Sequence, residues 1–277
     1  MTAFVRLLAV LAAALPLAFA VHAQPKEGDY EPHIGQAGKD VIWVPTPDDV
    51  VDRMLRMAQV TPHDYVIDLG AGDGKIVIAA AKLGARALGI EYNGDMARHA
   101  QRNVERAGVA ARAKIVQGDI FTSDFSQANV ITMYLLPALN IKLRPILLAM
   151  RPGTRVVSHS FNMEDWEPDE SANLDGRRAY FWLVPARVAG NWTLEMGSER
   201  FELVLEQRYQ KVDGTVALKP SHAGLRDALL RGANISFGFI DNSGVRRDFS
   251  GRVTGNRMEG SFRVESGAES RWSAVKK

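Results

Sequence analysis

The stretch from residue 66 to residue 77, VIDLGAGDGKIV, constrains the fold more than any other part of the chain. It begins as a short apolar strand and continues through Gly70, Gly72 and Gly74 into a segment with the pattern of a helix. Glycine lets the backbone turn tightly and approach a ligand with no Cβ in the way. The first turn of the following helix offers unpaired N–H groups. This order predicts an α/β sheet with a ligand at the carboxyl end of its first strand.

The carboxylates around this turn indicate the kind of ligand. A dinucleotide-binding loop has the spacing G-x-G-x-x-G and brings a pyrophosphate against a helix N-terminus. This chain has the pattern D-x-G-x-G-x-G, with Asp68 before the turn and Asp73 within it. Two carboxylates repel a pyrophosphate but attract a cation, and S-adenosylmethionine carries both an ammonium and a sulfonium. The sequence therefore favours S-adenosylmethionine over the nicotinamide dinucleotide of a dehydrogenase.

Two further segments with the pattern of strands lead to an acid. Residues 88–91 end in Glu91, and residues 115–120 contain Asp119 followed by Ile120. With the glycine turn, these segments resemble the class I S-adenosylmethionine-dependent methyltransferases. The resemblance implies that Glu91 accepts hydrogen bonds from the ribose hydroxyls, that Asp119 faces the adenine amino group and that Ile120 packs on the ring. The methionine moiety would contact the glycine turn, which comprises Asp68, Gly70, Ala71, Gly72, Asp73 and Gly74.

Each acid also has a purely structural interpretation. Asp68 or Asp73 could be a helix N-cap, Glu91 a solvated strand end, and Asp119 a turn residue that accepts from its own backbone. Three acid-tipped strands at the spacing of the family favour the cofactor site over these separate explanations.

The segment before the first strand extends the resemblance. Residues 41–49 read VIWVPTPDD, which predicts Thr46 as an N-cap, Pro47 at the first helical position and Asp49 as the partner in a T-x-x-D box. The helix is predicted to end at residues 61–62. The V-P-T-P segment resembles one in the mitochondrial-type lysine methyltransferases, which act on inner-membrane proteins, where it helps to cover the methionine end of the cofactor. Thr46 is therefore a predicted cofactor contact, with a cap as its alternative role.

The fourth and fifth predicted strands are residues 129–133 and 155–160. Residues 130–137 and 150–158, which overlap these strands, extend the narrower resemblance to the non-SET histone-lysine methyltransferases. It covers roughly residues 43–161. The chain lacks the Asn that the histone enzymes carry near Thr132, and it lacks the N/D-P-P-Y/F motif of other amino-methylating enzymes. Methyl transfer needs chiefly a deprotonated nucleophile in line with the sulfonium methyl, so catalysis can rest on positioning and desolvation. Tyr134 is the predicted catalytic residue that bonds an amine, with packing beneath the cofactor as its alternative.

The hydrophobic pattern changes after residue 160. Residues 165–178 are acidic and rich in turn formers, which predicts a surface loop, and residues 179–184 form a candidate apolar strand. From residue 190 onward, short alternating runs predict a small antiparallel sandwich or barrel. These runs are residues 192–196, 201–211, 215–218, 234–240, 247–253, 258–264 and 271–275. Residues 225–231 have the pattern of a helical turn. We expect a docking or structural role, because this module has no catalytic constellation.

The predicted organisation has four parts. They are a signal peptide at residues 1–23, an extended segment at 24–45, a Rossmann-like methyltransferase domain at 46–187 and an antiparallel β domain at 188–277. Arg6 precedes an apolar run and a small-x-small cleavage pattern, which predicts export to the periplasm or the medium, with no membrane span after cleavage. Export conflicts with a cofactor that is made in the cytosol. The alternatives are an uncleaved anchor, or a misassigned start and a cytoplasmic enzyme.

Charge and composition exclude several other classes. The formal net charge of +2 gives no reason to expect a nucleic-acid partner. The chain has no cysteine, which excludes disulfides, thiolate metal sites and a cysteine nucleophile. The six histidines have no ligand spacing, so no metal is expected. The predicted function is methyl transfer to a protein lysine. A small-molecule or lipid acceptor and a non-catalytic exported binding protein are the alternatives, and the oligomeric state is left open.

Overall fold

A computed structural model of the protein describes residues 30–38, 42–265 and 267–277. Residues 32–277 form one compact unit. Within the described residues, seven strands form a first sheet and nine form a second. The predicted signal peptide at residues 1–23 lies outside the described residues, as do residues 24–29 and 39–41 of the predicted extended segment.

The first sheet has the doubly wound arrangement that the sequence predicts. Its strands are β1 (Tyr65–Leu69), β2 (Arg86–Glu91), β3 (Ala113–Gln117), β4 (Val130–Met133), β5 (Arg155–His159), β6 (Glu170–Leu174) and β7 (Arg177–Leu183). They lie in the order β3-β2-β1-β4-β5-β7-β6. The first five strands in this order are parallel, whereas β7 pairs antiparallel with β5 and β6 pairs antiparallel with β7. The strand order therefore reverses between β1 and β4, and open α/β sheets bind ligands at the carboxyl ends of the strands beside such a reversal.

Helices cover both faces of this sheet. In the described part of the chain they are α1 (Asp48–Met57), α2 (Lys75–Lys82), α3 (Gly94–Arg106) and α4 (Pro137–Leu147). Successive residues of a strand point to opposite faces, so Val66 belongs to a buried cluster with α1, α2 and α3, and Ile67 to one with α4. The predicted Rossmann-like fold is confirmed.

Helix α1 begins differently from the prediction. Its first residue is Asp48, Pro47 occupies the N-cap position, and no side chain caps it. The predicted N-cap role of Thr46 and its T-x-x-D box with Asp49 are therefore wrong. The reason is that the Thr46 hydroxyl lies 3.3 Å from Nδ1 of His159 instead.

Two other predicted boundaries are wrong. Helix α1 ends at Met57 rather than at residues 61–62, because Gln59 has a φ of 47°, which lies far from the α-helical range. Residues 165–178, predicted as a surface loop, contain β6, which pairs antiparallel with β7. Most side chains of β6 are exposed, so its sequence lacks the apolar alternation by which a strand is recognised.

The second sheet is the predicted small antiparallel β domain. Its strands are β8 (Gly190–Met196), β9 (Glu199–Arg208), β10 (Lys211–Ala217), β11 (His222–Gly224), β12 (Arg226–Arg231), β13 (Asn234–Ile240), β14 (Arg246–Thr254), β15 (Arg257–Val264) and β16 (Ser270–Lys276). Their order is β11-β10-β9-β8-β16-β15-β14-β13-β12, and the sheet curls so that β10 lies near β12. Buried rings fill the interior, where Phe237 and Phe249 stack with centroids 4.8 Å apart. The predicted boundary between residues 187 and 188 falls between β7 and β8.

Residues 225–231 are not a helical turn. They contain β12, which pairs antiparallel with β13 through a register shift between Arg226 and Leu229. Asp227, inside this shift, has a φ of 51°. Such an irregularity breaks the strict alternation of a strand, which explains why the sequence pattern was misleading here.

Candidate active site

A cavity of about 290 Å³ opens at the carboxyl ends of β1, β2 and β4. All the predicted site residues but one line it: Thr46, Asp68, Gly70, Ala71, Gly72, Asp73, Glu91, Asp119, Ile120 and Tyr134. The exception is Gly74, where a Cβ would lie 3.3 Å from the Cβ of Ala100 on α3. Gly74 therefore allows the start of α2 to pack closely against α3, while the other predicted residues meet in one pocket.

The glycine turn has a backbone conformation that favours glycine. The φ angle is 80° at Gly70 and 53° at Gly72, both in the left-handed region. A Cβ on Gly72 would lie 2.7 Å from Nε1 of Trp43, and one on Gly70 would lie 2.9 Å from Leu135. The turn is thus packed between Trp43, which precedes α1, and Leu135, which follows β4. Neither residue was predicted from the sequence, although each lies beside a motif that was.

Glu91 fastens the end of β2 to the glycine turn. Its Oε2 accepts a hydrogen bond from the Gly72 N–H and its Oε1 accepts one from the Asn93 N–H, each over 2.9 Å. Burial raises the pKa of the Glu91 carboxyl, and these backbone donors act in the opposite direction. A carboxylate has about four acceptor sites, so Glu91 can hold the turn and still accept hydrogen bonds from a ligand.

Asp68 is the most deeply buried acid of the pocket, with 2% of its surface exposed. Its Oδ1 accepts a hydrogen bond of 2.7 Å from the hydroxyl of Thr132. Burial raises the pKa of Asp68 to about 7, and the charges of Asp73 and Glu91 add to this effect while Thr132 opposes it. Thr132 occupies the position at which the sequence departs from the histone-lysine enzymes, and here it supports Asp68.

Asp73 and Asp119 combine a structural role with a place in the pocket. Oδ1 of Asp73 accepts from the N–H of Lys75 over 3.2 Å, at the start of α2. Oδ1 of Asp119 accepts from the N–H of Phe121 over 2.9 Å. Asp119 therefore has the turn role that the sequence left open, and it also lies on the pocket wall. Phe121 lines the same wall.

We call the pocket wall formed by Thr46, Tyr134 and Phe161 the Tyr134 wall. The ring centroid of Tyr134 lies 4.0 Å from that of His159 and 6.4 Å from that of Phe161. His159 stands behind the wall, with 3% of its surface exposed and no hydrogen-bond partner at Nε2. Burial, aided by the charge of Arg177, lowers the pKa of His159 to about 4. The imidazole is therefore uncharged at neutral pH.

His159 and Phe161 were not predicted from the sequence. A signal for both existed, since they lie at and just after the carboxyl end of β5, next to the reversal of strand order. Among the residues that the structure describes, no group of three His, Asp or Glu side chains is arranged to hold a metal ion. In the same described ranges, no helix is long and apolar enough to cross a membrane.

Comparisons with known proteins identify related methyltransferases. A family profile described as the ANTKMT methyltransferase domain matches residues 68–170. A protein-lysine N-methyltransferase of Saccharolobus islandicus is 46% identical over 53% of this chain and 88% of its own length. The adenine nucleotide translocase lysine N-methyltransferase of Mus musculus is 34% identical over 43% of this chain and 52% of its own length. The structure of an RNA methyltransferase from Salinibacter ruber with S-adenosyl-L-homocysteine is 50% identical, with a TM-score of 0.51, over 52% of this chain and 96% of its own.

The fold and the pocket define a class I S-adenosylmethionine-dependent methyltransferase, and S-adenosylmethionine is its cofactor. The chain belongs to the same family as the Saccharolobus islandicus protein-lysine N-methyltransferase. The predicted resemblance to the non-SET lysine methyltransferases is thereby confirmed. The chain spans about half the length of the mouse relative, and the family profile ends before the β domain begins.

Proposed function

We propose that this enzyme transfers a methyl group from S-adenosylmethionine to the side-chain amine of a lysine in a protein. The observation that carries the proposal is the 46% identity to a protein-lysine N-methyltransferase across 88% of that protein. The Tyr134 wall supports it, because it offers aromatic rings and a hydroxyl beside the cofactor pocket. These groups suit a long aliphatic side chain that ends in an amine.

The residues of the pocket fit the cofactor. The space that a Cβ would need at Gly72 and Gly70 is taken by Trp43 and Leu135, so the glycine turn lets these two pocket-lining side chains pack directly against the cofactor site. In the proposed arrangement, Asp68 attracts the ammonium of the methionine moiety and Glu91 accepts from the ribose hydroxyls. Asp119 faces the adenine amino group, and Ile120 packs on the ring.

The acceptor amine must reach the cofactor without its proton. Bound S-adenosylmethionine supplies an electrophilic methyl group on its sulfonium. A water-poor environment disfavours a charged ammonium, and Phe161 and Leu135 make this part of the pocket apolar. The amine would lose its proton to solvent in these surroundings, and the hydroxyls of Thr46 and Tyr134 would orient its lone pair by hydrogen bonds. The uncharged His159 holds Thr46 in place.

RNA is a second candidate acceptor. A Salinibacter ruber protein described as an RNA methyltransferase is 50% identical over 52% of this chain. The formal net charge of +2 favours the protein acceptor, because RNA binding relies strongly on clustered lysines and arginines that neutralise phosphates.

Product analysis separates these acceptors. The full chain is incubated with S-adenosylmethionine that carries a deuterated methyl group, together with the protein, RNA and lipid fractions of a cell-envelope extract. The protein fraction is digested with protease, the RNA fraction with nuclease, and the lipids are extracted with solvent. The products of each treatment are then analysed by mass spectrometry. We expect the label on lysine side chains, and none with the Gly72→Val variant. Label confined to nucleosides, lipids or small molecules would overturn the lysine proposal.

We also propose that the chain is exported, on the basis of the charged, apolar and small-x-small pattern of residues 1–23. The protein is expressed with a C-terminal tag, and its N-terminus is determined after cell fractionation. We expect an envelope or secreted protein that begins at Gln24, or at Val21 if the alternative site is cleaved. A cytoplasmic protein that retains Met1 would contradict export.

A further inference from the structure

The connection from β5 to β6 carries Phe161 into the Tyr134 wall. Helix α4 holds the first part of this connection, since Nδ2 of Asn140 donates to the carbonyl oxygens of Phe161 at 3.1 Å and Asn162 at 3.2 Å. Ser160 has a φ of 64°, a conformation that a non-glycine residue keeps only when its surroundings hold it. The hydroxyl of Ser158 also donates to the carbonyl oxygen of Phe161 over 2.7 Å, so the position of Phe161 depends on the contacts that hold this connection.

The β domain holds the second part of the connection. The turn between β9 and β10 contains Tyr209, whose hydroxyl donates to Oδ2 of Asp165 over 3.0 Å. Arg208 contacts the same oxygen over 3.1 Å. Arg144 of α4 pairs with Oδ1 of Asp165 and also donates to the carbonyl oxygen of Met163 over 2.9 Å. Asp165 is thus fixed between α4 and the β domain.

The two residues after Asp165 are held by the same hairpin. The ring of Tyr209 stacks on the fully buried Trp166, with centroids 6.1 Å apart. Nε2 of Gln210 donates to the carbonyl oxygen of Glu167 over 2.7 Å, and Nζ of Lys211 lies 2.7 Å from Oε2 of Glu167. Exposed ion pairs contribute little on their own. The Tyr209 ring is therefore the strongest single contact of the hairpin with the connection.

We propose that the β9–β10 hairpin is a positioning element of the methyltransferase, which fixes the Tyr134 wall through the contact of Tyr209 with Asp165 and Trp166. The cofactor contacts proposed above come from the ends of β1, β2 and β3, and the polar contacts of the hairpin turn described here are made with the β5–β6 connection. The hairpin therefore sets the fit of the acceptor and leaves cofactor affinity unchanged. The acceptor part of this inference rests on the proposed function.

Hydrogen exchange and calorimetry test the structural part on the full chain. Tyr209→Ala should speed amide exchange in residues 161–167 by about tenfold, because their local opening becomes easier. Exchange in residues 70–74 and the Kd for S-adenosylhomocysteine should stay within about twofold of wild type. Tyr209→Phe keeps the ring, and its exchange rate in residues 161–167 should lie between the rates of wild type and Tyr209→Ala. The matched control is Arg200→Ala, which breaks the exposed pair with Glu195 at the other end of β9 and should change neither quantity.

Unchanged exchange in residues 161–167 in Tyr209→Ala overturns the proposal. A loss of affinity for S-adenosylhomocysteine as large as the change in exchange also overturns it. If Tyr209→Ala fails to fold, Asp165→Asn weakens the same junction and is subject to the same criteria. Poly-L-lysine is the acceptor probe for the kinetic part, at saturating S-adenosylmethionine. We expect KM for this probe to rise about tenfold in Tyr209→Ala with kcat changed less than about threefold, and Tyr209→Phe to restore most of the loss.

A wild-type KM together with faster exchange would show that the hairpin holds the connection without setting acceptor fit, which overturns the proposal. If the unsubstituted protein does not methylate poly-L-lysine while S-adenosylhomocysteine binds, that result counts against the proposed function. The exchange measurement then decides by itself whether the hairpin is a positioning element.

Discussion

Thr132 on β4 donates its hydroxyl hydrogen to Oδ1 of Asp68 on β1 over 2.7 Å, and the two residues are direct partners in the strand register. Both are buried, with 0% and 2% of their surfaces exposed. A hydrogen bond to a carboxylate stabilises its charged form, whereas burial stabilises the neutral form. The Thr132 hydroxyl therefore opposes the rise in the pKa of Asp68 and increases the negative charge of the pocket at neutral pH.

Thr132→Val should lower the free energy of unfolding by about 1 to 3 kcal/mol, because it leaves a buried carboxyl without its donor and changes the shape of the side chain little. Urea unfolding at pH 8 measures this loss. Thr132→Ser keeps the hydroxyl and should lose less. Equal stability of Thr132→Val and wild type would show that the hydroxyl does not support Asp68.

The affinity for S-adenosylhomocysteine should rise with pH up to about 7, the pKa of Asp68 in the folded protein. Its α-ammonium binds better to the ionised carboxylate, so the association constant should increase by about tenfold per pH unit at most below that pKa and level off above it. Calorimetry between pH 5.5 and pH 8 measures the slope. Asp68→Asn should bind more weakly and lose this slope, and a slope that persists in the variant would assign it to another group.

The contribution of Asp68 to the stability of the ligand-free protein should change with pH in the opposite direction to its contribution to ligand affinity. The pKa of Asp68 is raised in the folded state, so the folded protein binds more protons than the unfolded chain between about pH 4 and pH 7. The contribution of Asp68 to stability is therefore present at low pH and is lost as the pH rises through about 7.

Gly72→Val should abolish binding of S-adenosylhomocysteine while the protein stays folded. A Cβ at this position would lie 2.7 Å from Nε1 of Trp43, and the φ of 53° disfavours a branched side chain. Calorimetry measures binding, and circular dichroism checks the fold. Gly224→Ala is the matched control, since nothing lies within 4 Å of its Cβ position. Wild-type affinity in Gly72→Val would place the ligand elsewhere.

Glu91→Ala should weaken binding of S-adenosylhomocysteine by about 2 to 3 kcal/mol, the range for hydrogen bonds to a charged acceptor. The loss has two sources, because the carboxylate also accepts from the Gly72 N–H and so holds the turn. Glu91→Gln keeps one acceptor oxygen and should lose less. Wild-type affinity of the alanine variant would remove Glu91 from the site.

The cofactor side of the pocket could be predicted because its signal is local. The strand, the turn and the helix that carry Asp68, Gly70 and Gly72 are consecutive in the sequence. The contact between Thr46 and His159 has no such local signal, since the two residues lie 113 positions apart and meet only in the folded chain. The sequence therefore predicted Thr46 as a cofactor contact or a helix cap, and it predicted no role for His159.

The β strands show the same limit. Strands such as β8 and β9 alternate between more buried and more exposed residues and are visible in the sequence. The mostly exposed β6 and the irregular β12 are defined by their partners β7 and β13. Pairing between strands supplies information that one-dimensional periodicity lacks.

The low pKa of His159 should make the protein less stable in acid. The folded pKa is about 4, and an unfolded histidine titrates near 6.5, so between these values the unfolded chain binds a proton that the folded chain does not. The contribution of His159 to the free energy of unfolding should therefore fall by about 2 to 3 kcal/mol as the pH is lowered from 6.5 to 4. Asp68 contributes with the opposite sign in much of this range, so wild type alone does not isolate the effect.

The difference between wild type and His159→Gln isolates it. Glutamine stays uncharged at every pH, so urea unfolding at pH 4.5 and pH 7 should show a smaller loss of stability in acid for the variant than for wild type. His63→Gln, at an exposed histidine, is the control and should lose as much as wild type. If His159→Gln and wild type lose the same stability in acid, His159 accepts a proton in the folded protein. In that case the Tyr134 wall is backed by a charged imidazolium at low pH, and the role of His159 as an uncharged support for Thr46 is wrong.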